Sequence, residues 1–125
     1  MTPAPLYDPS RLQSLDENDP GIVRHMLGLF LELIPGTAEQ IREAYQARNI
    51  DLVHTLAHRI KPSILELDIR LLKATITDIE REASMGRSTP VLEAHIRYLC
   101  KVMDQVKTEI ENELSAPPAP PAPRP

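Results

Sequence analysis

His54 and His58 stand four residues apart in the stretch "VHTLAHRIKPSILEL", Val53 to Leu67, and Lys61 follows the second histidine by three. Steps of four and three keep side chains on one face of a helix. Two imidazoles one turn apart could chelate a metal. The zinc-protease pattern, however, needs Glu directly after the first histidine, where Thr55 stands, and no Glu-x-x-His repeat occurs to build a di-iron bundle. An ordinary imidazole, with a pKa near ~6.5, is mostly neutral at pH 7 and offers a lone pair that can attack phosphorus. An ammonium one turn away would neutralise phosphoryl oxygens. Spacing alone leaves this phosphate chemistry open beside a plain pair of surface histidines.

These residues need a helix to align them, and the stretch supplies one. Val53, Leu56, Ala57, Ile60, Ile64 and Leu67 recur at helical spacing and form a core face. At about 100° per residue, His58 lies roughly 140° from Val53 and points outward. His54, His58, Lys61 and Leu65 then form one outward stripe ending in an apolar residue, as a docking site would. Pro62 removes the N–H that would bond the His58 carbonyl. The apolar phase nevertheless continues past it, so the helix is expected to run on with a bend.

Start signals and periodicity place four further segments. A short one follows Asp8 and Pro9, with Leu12 and Leu15 apolar. A second opens at Asp19 and Pro20, with Ile22, Met26, Leu29, Phe30, Leu33, Ile41 and Ala44 read as its inward stripe. Pro35 and Gly36 interrupt that segment, which predicts a kink or two abutting helices. The histidine helix begins near Asn49. The next runs from about Asp68 to Ser84, with Ile69, Leu72, Ile76 and Ile79 inward. After a turn at Met85 to Ser88, Thr89 caps and Pro90 starts a last helix with Leu92, Ile96, Leu99, Met103, Val106 and Ile110 as its seam. The expected fold is all-α: an up-down four-helix bundle over residues 1–114, with the short N-terminal helix covering one end. The tail 115–125, "SAPPAPPAPRP", is too rich in proline for helix or sheet and reads as a polyproline II-like or disordered spacer.

Composition narrows the classes. The 125 residues suit one domain, and 42% hydrophobic with 3% aromatic content favours helices over strands. A formal charge of -4 argues against a nucleic-acid partner. The one cysteine, Cys100, precludes an internal disulfide and reads as a small apolar filler in a reducing compartment. With no membrane-length apolar run and no signal-peptide pattern at the N-terminus, the expectation is a cytoplasmic protein without a membrane partner.

"LAHRIKPS" resembles the signature of histidine-containing phosphotransfer (HPt) domains, Ala-His-x-Leu/Ile-Lys-Gly-Ser/Ala on a bundle helix. The opening segment "LYDPSRLQSL", the helix "VRHMLGLFLELIP" and the later "LLKATITDIEREA" are similar to the family at equivalent places, so the likeness covers residues 6–84. The last helix agrees in pattern only. The resemblance implies that His58 is the phosphoacceptor, that Lys61 is the charge partner of the phosphoryl group, and that Glu80 orients the imidazole through its nearer nitrogen. Arg59, Pro62, Leu65 and His54 would belong to the face that docks response-regulator receiver domains. The implied protein is a phosphocarrier of a two-component phosphorelay, not an enzyme. It would accept a phosphoryl group from a receiver's aspartyl phosphate and pass it to another receiver.

The expected carrier has no cofactor of its own, since the Mg²⁺ belongs to the receiver, and a monomer is expected. The resemblance fits a free-standing carrier and a piece of a hybrid sensor histidine kinase equally. The alternative is a helical interaction module that binds receiver or kinase domains without phosphotransfer. Three positions depart from the family: Pro62 and Asp68 replace frequent glycines, and His54 is not required. Asp68 suits the end of one helix and could cap the next. His54 reads as a rim residue of the docking face.

Overall fold

A computed structural model of the chain describes residues 6–8 and 20–115. Four helices account for nearly all of them: α1 (Pro20–Gln46), α2 (Ile50–Glu66), α3 (Arg70–Ser84) and α4 (Pro90–Ser115). The fold is all-α, as the periodicity predicts. Turns of three to five residues join successive helices, which fixes an up-down course. The helices pack in the cyclic order α1, α2, α3, α4 and back to α1. Among the described residues no strand occurs, and no helix is long and apolar enough to cross a membrane.

The turns follow from local chemistry. At the end of α1, Arg48 adopts a left-handed backbone (φ 60°), its N–H bonding the Tyr45 carbonyl and that of Asn49 the Ala44 carbonyl. This pairing closes a helix and satisfies two carbonyls that would otherwise be orphaned. Asn49 then caps α2, its side chain accepting from the Leu52 N–H. Asp68 repeats the left-handed geometry after α2 (φ 49°), with the Asp68 and Ile69 N–H groups bonding Leu65 and Ile64. An aspartate here takes a left-handed backbone that glycine adopts at lower cost. It does not, however, cap α3: the cap position is Ile69, without a side-chain bond. The Asp68 carboxylate instead pairs with Lys73 and with Arg70, 3.7 Å away. Thr89 caps α4 as predicted, its hydroxyl accepting from the Leu92 N–H at 3.0 Å.

The core confirms the inward faces expected of α2, α3 and α4. Val53, Ile60, Ile64, Ile69, Leu72, Ile76, Ile79, Leu92, Leu99, Val106 and Ile110 are fully buried. Cys100 packs partly buried against this core, and burial pushes its thiol up to about 11, as befits an unreactive filler.

In α1 the sequence reading needs correction. The helix is continuous through Pro35 and Gly36, so it is not two abutting helices. Its buried line is Val23, Leu27, Phe30, Ile34, Ala38, Ile41 and Tyr45. Ile22, Leu29 and Leu33, read as inward, are exposed, and Met26 is only partly covered. The first half of α1 is apolar on two adjacent faces, and only the phase of its second half decides between them. Ile34 leads on to Ala38, Ile41 and Tyr45, whereas Leu33 leads to Thr37 and Gln40.

The expected N-terminal helix, with Leu12 and Leu15, falls on residues 9–19 and lies outside the described residues. The segment before it docks at one end of the bundle. Tyr7 is buried, the Asp8 N–H bonds the Leu67 carbonyl at 2.6 Å, and the Leu6 N–H bonds Glu109. Burial, with Glu113 and Glu109 close by, pushes the Tyr7 hydroxyl up to about 12. α4 extends through Ser115, the first residue of the expected tail, and 116–125 lie outside the described residues.

Candidate functional site

The core face of α2 places His58 on its outer side, where the side chain is 73% exposed. α3 runs antiparallel beside α2, with Leu72, Ile76 and Ile79 buried in the shared core. Glu80, next to Ile79, is thereby set at the border between the helices and reaches across to α2. Its Oε1 lies 3.0 Å from His58 Nδ1. A carboxylate there accepts from Nδ1–H, which fixes the proton on that nitrogen and leaves the lone pair on Nε2.

Lys61 completes the group. Its Nζ stands 3.6 Å from Glu80 Oε2, an oxygen closed off from solvent that has no hydrogen-bond partner of its own. Glu80 is thus flanked by an imidazole and an ammonium. The His58 hydrogen bond, then the nearby Lys61 ammonium, hold its carboxyl below its ordinary value despite partial desolvation. His54 lies one turn before His58, its ring nearly parallel to that of His58 (10°) with centroids 6.5 Å apart.

The sequence-predicted residues are therefore brought together on one face: His58, Lys61 and Glu80 in direct contact, with His54 beside them. Arg59 and Pro62 are exposed on the same helix, and Leu65 is half-buried. α2 is continuous through Pro62, in keeping with its unbroken apolar phase, and the His58 carbonyl is left without its helical donor. Among the described residues no group of three or more His, Cys, Asp or Glu side chains is placed to hold a metal ion.

Sequence reasoning missed the apolar part of this surface. Met26, Leu29 and Leu33 of α1 line a shallow groove whose other wall is Ser63 and Glu66 of α2 with Leu67, which follows that helix. Leu33 is 63% exposed, unusual for a leucine within a helix. Pro62, exposed one turn after His58, directly precedes Ser63 of the groove wall. The signal that would have found it is the phase of α1 followed past Pro35.

No protein-family model, curated protein or solved structure matches the chain, so the arrangement is judged on its own chemistry.

Proposed function

We propose that the protein is a histidine phosphotransfer carrier of the phosphorelay type. The observation that carries this reading is the 3.0 Å bond between His58 Nδ1 and Glu80 on an imidazole that is otherwise open to solvent. A nucleophile of this kind needs one nitrogen protonated and anchored and the other bare and accessible. In the proposed step the Nε2 lone pair attacks the phosphorus of an aspartyl phosphate on a receiver domain. The N–P bond forms as the P–O bond breaks, and the aspartate oxygen leaves with the bonding electrons. No proton has to leave the ring. Nδ1–H remains on Glu80, whose charge stabilises the imidazolium character of the product, while Lys61 faces the phosphoryl oxygens. Transfer to a second receiver is the reverse of this step.

Mg²⁺ and the remaining charge neutralisation are the receiver's part. The groove of Met26, Leu29 and Leu33, with Pro62 adjoining its α2 wall one turn from His58, suits a partner that buries an apolar patch and reads a charged rim. Arg59 and His54 belong to that rim, and Leu65 to the edge of the face.

Incubation with a panel of receiver domains carrying labelled aspartyl phosphate tests the proposal. Label moving onto this chain in an acid-labile, alkali-stable linkage supports it. Receivers that bind without passing label would identify an interaction module instead, and failure to do either would remove the reading.

A further inference from the structure

His54 has no part in the step just described, yet its ring lies stacked beside that of His58. Helical side chains lean toward the N-terminus of their helix. The His58 ring accordingly comes over the turn that carries His54, and Lys61 leans back toward His58 from the other side. The two imidazoles are nearly parallel at a centroid distance of 6.5 Å, toward the far end of the range for paired rings. A group attached to His58 Nε2 would thus have a lysine ahead of it and a histidine behind it. Lys61 is also partly engaged, its ammonium lying 3.6 Å from a Glu80 oxygen. A phosphoryl group, with close to two negative charges, needs more than that one shared cation.

We infer that His54 is a second binding residue for the phosphoryl group on His58, its ring N–H donating a hydrogen bond to a phosphoryl oxygen on the side opposite Lys61. An imidazole carries at least one N–H in either protonation state, so the donor is available at neutral pH. This inference rests on the carrier reading and gives His54, beside its place on the rim, the further role of stabilising the charged form. The two roles leave different traces. A docking contact changes the rate of transfer in both directions equally. A group that binds the phosphoryl changes the equilibrium between phosphorylated carrier and phosphorylated receiver.

The experiment measures the equilibrium division of label between this chain and the receiver domain that labels it most rapidly, at concentrations too low for the complex to accumulate. Wild type, His54→Phe and His54→Gln are compared, with circular dichroism to confirm that each is folded. His54→Phe keeps a ring but loses the donor, and the ratio should move about 3- to 10-fold toward the receiver, the worth of one exposed charge-assisted hydrogen bond. His54→Gln retains an N–H and should recover much of the wild-type ratio. An unchanged ratio in His54→Phe, or a His54→Gln ratio no better than that of His54→Phe, overturns the inference while leaving the carrier reading intact. A wild-type chain that takes label from no receiver overturns both.

Discussion

At the scale of single residues, the account turns on Glu80. In the proposed carrier, its bond to His58 Nδ1 decides which imidazole nitrogen would attack phosphorus. Glu80→Ala frees the ring to exchange tautomers and removes the charge beneath it, and transfer to the variant should be slower by about tenfold or more, measured as initial rate of label uptake. The pH dependence has a definite sign. Because the folded carboxyl titrates below its ordinary value, its contribution to folding is complete above that value and is lost as pH falls through the lowered one. Chemical denaturation of wild type and Glu80→Gln should therefore show a stability gap at neutral pH that closes on acidification. A gap that stayed open after the carboxyl had been protonated would contradict the assigned pairing.

The helices show what was legible in the sequence. Asn49, Thr89 and the phase of the apolar residues place α2, α3 and α4 closely, because each has one apolar face and a clear start. α1 is harder to read, because its first half is apolar on two adjacent faces. A stripe drawn through Leu33 to Ile41 and Ala44 passes over the polar Thr37 and Gln40, whereas the one through Ile34 stays apolar at Ala38 and Ile41. Asp68 is legible as a helix end, but its pairing with Lys73 and Arg70 depends on side chains that meet only when the turn is built. Gly36 sits in a continuous helix with open space where a Cβ would go. Gly36→Ala should stabilise the fold by about 0.5–1 kcal/mol in a denaturation experiment. Pro62 is exposed one turn beyond His58, so Pro62→Gly should retain transfer while Pro62→Phe blocks the approach of a receiver. Normal transfer by the Phe variant would show that close approach at this position does not matter.

For the whole molecule, the bundle is a scaffold that holds three polar groups at one helix border and leaves an apolar groove beside them. The shared face of His58 and Lys61 was legible from helical spacing. Glu80 was legible only from the resemblance of "LLKATITDIEREA" to the HPt pattern, since spacing within one helix does not tell which residue of the next helix reaches across. The groove was not, because it depends on how α1 rolls against α2. Exposed and buried leucine-like positions in α1 provide the test. Leu33→Ser should change stability by no more than about 0.5 kcal/mol and weaken receiver-dependent transfer. Ile34→Ala, one residue on, should cost about 2–5 kcal/mol of folding stability. The most direct measurement of the central claim is to locate the phosphoryl group itself, by nuclear magnetic resonance and mass spectrometry of the chain after transfer from a receiver. The account predicts one phosphoryl group on Nε2 of His58, with Nδ1 still protonated, and none on His58→Ala. Label on Nδ1, on another residue, or persisting in His58→Ala would contradict it.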